Sequence, residues 1–378
     1  MTGISEELKK RTCDAYVVYD TSDNEDMRYL SGFLATDPYL YIFKRDGTAS
    51  LIVSSMEELR ARRESACGVV TRTSAGFAEL LKQYPDPDAA SAHMIANFSG
   101  KRLLVPYSMP VGFARALTEA AEVEIDDGTV LAMRSVKTPE EIEKIRAVQR
   151  KNEQGVHIAV EAVRKSTVDE NGGLVFEDAP LTSEKIRAIL HDEFYRLGLE
   201  DRDTIISCAG DTALPHAKGS GQLMANQAIV MDVFPRETST GYFADMTRTI
   251  SKGRPSDEIV AMYAVVHEAK TLAAKMIRPG ITGAEVHNAV ADFFTQKGYE
   301  TAGTSGFIHS LGHGVGLAIH ELPSLSPRGK ELVPGNVVTI EPGLYYPGTG
   351  GVRLEDMGAV TEDGFDSFTT FEEELIIV

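Results

Sequence analysis

The sequence contains no tryptophan and only three cysteines, Cys13, Cys67 and Cys208. These cysteines are odd in number and far apart, which excludes a disulfide framework and the close spacing of a cysteine zinc site. No apolar run approaches the ~18 residues of a transmembrane helix, so we expect no membrane partner. The polar N-terminus MTGISEELKKRT does not resemble a signal peptide, and we therefore expect a cytoplasmic protein.

Positive charge is also scarce. The chain has 38 Lys and Arg against 56 Asp and Glu, a net charge of −18 at pH 7. This balance argues against nucleic acid or an anionic membrane surface as a partner. The remaining composition, 43% hydrophobic and 25% charged, is typical of a globular protein. Because 378 residues exceed one average core, we expect two domains.

Residues 1–135 alternate short apolar runs with helical patterns, which predicts an α/β domain. Tyr39–Phe43 and Ala49–Val53, for example, flank a turn that contains Gly47 and predict a hairpin. The region has no phosphate-loop or catalytic spacing, so we expect it to act as a scaffold or a cover. Pro139 then opens a long helix with Thr138 as its N-cap, and we place the domain boundary between residues 135 and 136.

Residues 136–378 show the same order of elements twice, two helices followed by strands. The two passes share little sequence, so we infer a repeat of architecture only. This order predicts an α+β domain in which the helices cover one face of a joint antiparallel sheet.

The stretch SGFIHSLGHGVGLAIHE, residues 305–321, combines histidines with four glycines. Apolar and small residues alternate over positions 315–319 and predict a strand. His313 and His320 are an odd number of residues apart, so both can face one site only if a bulge or bend intervenes. The alternative is a glycine-rich strand with buried, hydrogen-bonded histidines.

Four acidic residues interrupt apolar segments that we predict to be strands. Carboxylates and imidazoles that converge from separate strands are typical metal ligands, whereas an unpartnered buried carboxylate is costly. An ion pair with Arg248 or Arg353 would explain one acid, but four acids and His313 need more cations than these strands supply. The acids are Asp232 in QAIVMDVF, Asp245 in GYFADMTRT, Glu341 in VVTIEPG and Glu355 in GVRLEDMG.

The second domain resembles the pita-bread metallopeptidases, which include methionine aminopeptidase, prolidase and aminopeptidase P. The motifs DVF…GYFADMTRT, SLGHGVGLAIHE, TIEPGLYY and VRLEDM follow the family's order. In the first domain, NEDMRYLSGF and MRSVKTPEEIEKIR resemble the creatinase/prolidase-type N-terminal domain of the prolidase and aminopeptidase P branch. Asp232 and Asp245 are thirteen residues apart, whereas the family usually has eleven, and a longer hairpin tip would absorb the difference.

The resemblance implies roles for individual residues. Glu341 would both bind metal and shuttle a proton, and His216 and His320 would stabilise the developing oxyanion. Arg353 would hold Asp245 in position without binding metal itself. The implied metal ligands are Asp232, Asp245, His313, Glu341 and Glu355, and the implied substrate contacts are His216, His309, His320 and Tyr345. Two divalent ions would be bridged by Asp245 and Glu355, with manganese expected first and cobalt, iron or zinc also suited to these donors.

The implied activity is dinuclear-metal hydrolysis of the N-terminal Xaa-Pro bond of a peptide, by a homodimer. Some prolidases carry an arginine four residues after the second histidine, where this chain has Ser324. The neutral serine favours an aminopeptidase, although nearby Arg328 would allow an Xaa-Pro dipeptidase. A non-catalytic pita-bread binding protein and a metal-free creatinase-like hydrolase are further alternatives, which the complete ligand set disfavours.

Overall fold

The computed structural model describes residues 2–377, and the chain divides into two units, Met1–Arg134 and Ser135–Val378. Among these residues, none of the helices combines the length and the apolar character that crossing a bilayer requires.

Unit 1 is an α/β unit built on one mixed sheet. Its helices are α1 (Thr2–Lys10), α2 (Glu25–Ser31), α3 (Glu58–Glu64), α4 (Phe77–Gln83), α5 (Pro87–Ser99), α6 (Val111–Ala120) and α7 (Thr129–Ser135), the last of which ends at the unit boundary. Its strands are β1 (Ala15–Asp20), β2 (Tyr39–Lys44), β3 (Ala49–Val53), β4 (Gly68–Thr71), β5 (Arg102–Pro106) and β6 (Glu122–Asp126). The strand order is β4-β3-β2-β1-β5-β6.

The sheet of unit 1 is covered on both faces because the middle of its inner strands is mostly apolar and buried. Successive residues of a strand point to opposite faces. Ala15 and Val17 therefore join one buried cluster, and Tyr16 and Val18 join the other. The predicted hairpin is confirmed, since β2 and β3 pair antiparallel around a turn at Gly47.

Unit 2 begins with a long helix and contains two helix pairs. The helices are α8 (Pro139–Lys165), α9 (Ser183–Leu197), α10 (Asp257–Met276) and α11 (Gly283–Gln296), with a 3₁₀ turn at Ala209–Ala213. Thr138 and Glu141 form a reciprocal capping box at the start of α8, which confirms the predicted helix start. Thr282 and Glu285 repeat the device at α11. Local capping chemistry thus sets where α8 and α11 begin.

The strands of unit 2 are short and fall into several sheets. They are β7 (Thr167–Val168), β8 (Leu174–Phe176), β9 (Ala179–Pro180), β10 (Leu199–Glu200), β11 (Ile205–Cys208), β12 (Ile229–Val233), β13 (Arg236–Glu237), β14 (Met246–Lys252), β15 (Gly312–Gly314), β16 (Glu321–Leu325), β17 (Val337–Ile340), β18 (Gly343–Tyr346), β19 (Gly350–Arg353), β20 (Asp356–Thr361), β21 (Gly364–Ser367) and β22 (Ile376–Ile377). The main sheets have the orders β11-β12-β14-β22 and β16-β15-β17-β20-β21.

The joint antiparallel sheet predicted for this unit is therefore wrong in detail, because the two main sheets are hydrogen-bonded separately. Where they approach, the Glu355 N–H donates to the Thr247 carbonyl at 3.0 Å. The buried Arg248 guanidinium donates to the carbonyls of Glu355 (2.6 Å) and Thr247 (2.9 Å). The Arg248 side chain therefore bridges the two sheets where they meet.

Candidate metal centre

The hairpin of β12 and β14 carries the two aspartates. Asp232 pairs in register with Thr247, and the pairing is unbroken from Val233 back to the start of β12. Asp245 lies one residue before β14 and is 3% exposed, and its N–H donates to the Gln149 side chain at 3.2 Å. The thirteen-residue spacing thus leaves the strand pairing intact, and the extra length lies in the hairpin tip.

His313 lies on β15 with one ring nitrogen directed at the acids. Its Nδ1 is 3.1 Å from the Gly314 carbonyl, so Nδ1 carries the proton and donates it there. Its Nε2 is 3.6 Å from an Asp245 oxygen and 3.5 Å from a Glu341 oxygen. An unprotonated nitrogen and two carboxylates at this separation present lone pairs to one another.

The segment after His313 is a turn, so the predicted strand over positions 315–319 is wrong. The Gly316 N–H donates to the Ala318 carbonyl at 3.0 Å, which closes a tight bend. The expected irregularity is confirmed, because the β15–β16 register shifts between His313 and Gly314. As a result the His320 ring packs edge-on against the His313 ring, with centroids 4.2 Å apart.

The carboxylates crowd one another in a buried volume. Asp245, His313 and Glu355 each offer a ligand atom within 4.8 Å of the others. Burial, and then the charges of Glu355 and Asp232, raise the pKa of Asp245. Burial, followed by the charge of Glu355, likewise raises the pKa of Glu341. Burial and the charge of Asp232 raise the pKa of Glu355 to about 8. Ionising these carboxyl groups therefore requires further positive charge.

Divalent metal ions fit this donor set. Burial lowers the pKa of His313 to about 3, so the imidazole is neutral and its Nε2 lone pair is available. Four carboxylates and one imidazole are donors that suit divalent manganese, iron, cobalt and zinc. A cation between them would relieve both the lone-pair contacts and the raised carboxyl pKa values.

Arg353 pairs with Asp232, so the expectation that it steadies Asp245 is wrong. Its guanidinium donates to an Asp232 oxygen at 2.7 Å and to the Tyr345 hydroxyl at 2.7 Å. It also donates to the Thr247 hydroxyl at 3.2 Å, and that hydroxyl donates to Glu355 at 2.8 Å. In the antiparallel pairing of β18 and β19, Arg353 lies opposite Gly343, and its guanidinium reaches the Tyr345 hydroxyl two residues further along β18.

The remaining predicted site residues line one side of the centre. Tyr345 accepts a hydrogen bond from Arg353 and therefore donates its own hydrogen to His309 Nε2, 3.0 Å away. Burial lowers the pKa of both His309 and His320. A cavity of about 480 Å³ is lined by Leu214, Pro215, His216, Ala217, Ile308 and His309.

Comparison with known proteins accounts for this arrangement. A sequence model of metallopeptidase family M24 matches residues 143–362, more than half of the chain. The chain belongs to metallopeptidase family M24. A model of the creatinase/prolidase N-terminal domain matches residues 1–148. The predicted pita-bread fold and peptidase activity are thereby confirmed, and family membership implies that the centre uses divalent metal ions.

Some relatives of this M24 chain are named as Xaa-Pro dipeptidases or prolidases, and others as X-Pro aminopeptidases. An Xaa-Pro dipeptidase from Lactobacillus helveticus is 34% identical over 250 residues. The match covers 65% of this chain and 63% of the dipeptidase, which is less than two thirds of the dipeptidase's length. The solved prolidase from Pyrococcus horikoshii OT3 is 28% identical and covers 99% of each chain with a TM-score of 0.83. The solved X-Pro aminopeptidase from Thermotoga maritima MSB8 is 28% identical and covers 99% of each chain with a TM-score of 0.82.

Two residues that orient side chains of the candidate metal centre were not identified from the sequence. The Thr247 hydroxyl donates a hydrogen bond to Glu355 and accepts one from Arg353. Its position two residues after Asp245 in ADMTRT could have indicated this role, since alternate strand residues share a face. Lys137 pairs with Glu321, whose side chain is buried beside His320. Nothing local marks that contact, because 184 residues separate the partners.

Proposed function

We propose that this M24 peptidase hydrolyses the bond between an N-terminal residue and a following proline, using two divalent ions. The observation that supports proline is the cavity beside the centre, whose walls include Leu214, Pro215, Ala217 and Ile308. A prolyl ring is compact and apolar, and the tertiary amide has no N–H to satisfy. Such a wall suits that ring, while His216 and His309 supply polar edges.

The proposed ligands are Asp232, Asp245, His313, Glu341 and Glu355, with Asp245 and Glu355 shared by both ions. Bound divalent ions would polarise the scissile carbonyl and make a water molecule acidic enough to attack at neutral pH. Manganese is the ion we propose first.

The chain's own groups supply the proton transfer and the stabilisation of charge. Glu341 is proposed to accept the proton of the attacking water and to return it to the leaving nitrogen. His216 and His320 are proposed to donate hydrogen bonds to the oxygen that becomes negative. Burial lowers the pKa of His320, and a neutral imidazole can still donate through one N–H. Tyr345 and His309 border the substrate, and their mutual hydrogen bond fixes their orientation.

A metal-content experiment tests the ligand assignment. Asp245→Ala and Glu355→Ala are expected to lose both ions and nearly all activity, because each removes a shared ligand. His320→Ala is expected to retain both ions and to lose rate by about 100-fold or more. Metal analysis beside kcat separates these results, and one ion per chain in fully active enzyme would refute the shared-ligand assignment.

We propose an aminopeptidase rather than a dipeptidase because position 324 has no positive charge. Ser324 pairs directly with His313 across β15 and β16, and paired residues of antiparallel strands point to the same face. Arg328 is exposed in the turn that follows β16. A dipeptidase would need a cation that recognises the free carboxylate of Xaa-Pro.

The dipeptidase is retained as a second candidate because the Lactobacillus and P. horikoshii relatives carry that kind of name. Ala-Pro, Ala-Pro-Ala, Met-Ala-Ala and Ala-Ala-Ala should be compared at equal concentration. The aminopeptidase proposal requires cleavage of Ala-Pro-Ala at least as fast as Ala-Pro. Ser324→Arg is expected to shift the preference toward Ala-Pro. Exclusive cleavage of Ala-Pro by the wild type would favour the dipeptidase and make Arg328 the next residue to replace.

We also propose the wider setting expected from the sequence. Residues 1–135 would form a domain without metal ligands, and residues 136–378 the metallopeptidase domain. The protein would act as a homodimer in the cytoplasm. Sedimentation of the purified protein would test the dimer.

A further inference from the structure

Lys137 and Glu321 form an ion pair that is sealed from solvent next to the proposed catalytic histidine. Lys137 Nζ lies 2.5 Å from Glu321 Oε1, and both side chains are 1% exposed. Burying two charges costs desolvation, and apolar residues of the same size often stabilise a fold equally well. Stability alone therefore does not explain this pair.

The carboxylate of Glu321 lies inside the turn that leads to His320. The Ala318 N–H donates to Glu321 Oε2 at 3.4 Å. A Cβ on residue 316 would lie 2.3 Å from Glu321 Oε1, so a larger residue there would have to displace the carboxylate. The turn from Gly316 to His320 is thus folded around the carboxylate, which follows His320 directly in sequence.

Lys137 is itself held by the segment that leads to a proposed metal ligand. Its N–H donates to the Gly335 carbonyl at 2.8 Å. Gly335 lies just before β17, and Glu341 follows the end of that strand. The lysine therefore connects the strand that carries Glu341 to the turn that carries His320.

We propose that Lys137 and Glu321 are positioning residues that hold the His320 ring where it meets the reacting carbonyl. This proposal rests on the proposed function of His320 as an oxyanion donor. The ion pair fixes the Glu321 carboxylate, the carboxylate fixes the backbone from Gly316 to His320, and that backbone sets the ring against His313. Neither residue needs to touch substrate.

The first test replaces the lysine by an apolar residue of similar length. Lys137→Met is expected to lower kcat for Ala-Pro-Ala by at least ~10-fold while KM changes by no more than about twofold, because an oxyanion contact acts mainly in the transition state. Lys151→Met is the control, since Lys151 forms a 2.5 Å ion pair with Glu237 in which the two side chains are 31% and 14% exposed rather than sealed from solvent. Its kcat should stay within about twofold of wild type.

A double variant distinguishes positioning from simple stabilisation. Lys137→Met removes the cation that pairs with the buried Glu321 carboxylate, so the melting temperature should fall. Lys137→Met with Glu321→Met removes both charges and should recover most of the melting temperature. Its kcat should stay low, because the thioether of methionine is only a weak acceptor and would not replace the carboxylate that holds the Ala318 N–H. Recovery of both properties would overturn the proposal.

Dependence on His320 provides the decisive comparison. In a His320→Ala background, Lys137→Met should change kcat by no more than about twofold, because residues that act through one group are not additive. An equal loss in both backgrounds would overturn the proposal. If the wild type cleaves no Xaa-Pro peptide, the proposed function fails, and the positioning proposal is tested by amide hydrogen exchange instead. Lys137→Met must then speed exchange over residues 316–321. Unchanged exchange there would overturn the positioning proposal.

Discussion

At the scale of single residues, one chain of hydrogen bonds runs from the proposed substrate cavity to a proposed metal ligand. His309 Nδ1 donates to the Ser310 carbonyl at 2.7 Å, so its Nε2 must accept, and it does so from Tyr345. Tyr345 accepts from Arg353, which donates to Asp232. The Arg353 guanidinium can only donate and the Ser310 carbonyl can only accept, so the proton positions on Tyr345 and His309 between them follow from the geometry. Burial also lowers the pKa of His309 to about 4, which keeps that ring neutral.

Replacement of Arg353 should weaken the metal centre more than replacement of Tyr345. Arg353→Gln removes the charge that faces Asp232, and we expect metal affinity or kcat to fall by about 10- to 100-fold. Tyr345→Phe leaves the arginine–aspartate contact in place and should cost less. Metal titration and kcat measured on both variants check this order. A larger loss in Tyr345→Phe would contradict the central role assigned to Arg353.

At the scale of structural elements, β15 approaches β17 too closely for any side chain at Gly312. A Cβ there would lie 2.1 Å from the Thr339 carbonyl oxygen, and that oxygen belongs to the backbone of β17. The same residue accepts the His313 N–H through its hydroxyl at 3.1 Å. The contact between these strands therefore positions His313 directly.

Gly312→Ala should accordingly destabilise unit 2 by about 1–3 kcal/mol, because a strand backbone must move to admit the methyl group. Activity should fall as well, since His313 moves with the strand. Gly210→Ala is the control in the same unit, because nothing lies within 4 Å of a Cβ there, and its effect should stay within about 0.5 kcal/mol. Chemical denaturation of both variants provides the measurement, and equal stabilities would exclude a tight contact at Gly312.

At the scale of the whole molecule, the acidic centre makes stability depend on pH when metal is removed. Glu355 has a folded pKa of about 8 against an ordinary value of 4.5, so the folded state holds its proton longer than the unfolded state. Stability contributed by this group therefore falls as pH rises from about 4.5 to about 8. His309 and His313 have lowered pKa values, so their contribution rises with pH and is complete near pH 6.5.

Between pH 6.5 and 8 the carboxyl effect should dominate. We expect the metal-free protein to lose stability over this window, by about 1.4 kcal/mol per pH unit for each carboxyl group that stays protonated. Manganese should raise the melting temperature and remove the decline, because it binds the ionised carboxylates of the folded state. Thermal melts with and without chelator check both effects. A metal-free melting temperature that is flat or rising over this window would contradict the prediction.

The residue types and many element boundaries could be predicted from the sequence because their signals are local. Thr138 and Pro139 define the start of α8 within four residues, and apolar strands interrupted by single acids identify the candidate ligands. The predicted bulge after His313 followed from spacing alone. These features depend on capping, side-chain alternation and the cost of burying a carboxylate, and each acts over a few residues.

Tertiary structure alone decided which charges meet. Arg353 was expected beside Asp245 and instead pairs with Asp232, which lies 121 residues earlier in the chain. The alternation after His313 predicted a strand, but the buried Glu321 carboxylate and Lys137 hold that segment as a turn. The identity of a charge is a property of the sequence, whereas the partner of a buried charge depends on distances between residues more than 100 positions apart. Those distances are fixed only when the sheets and the long helix pack.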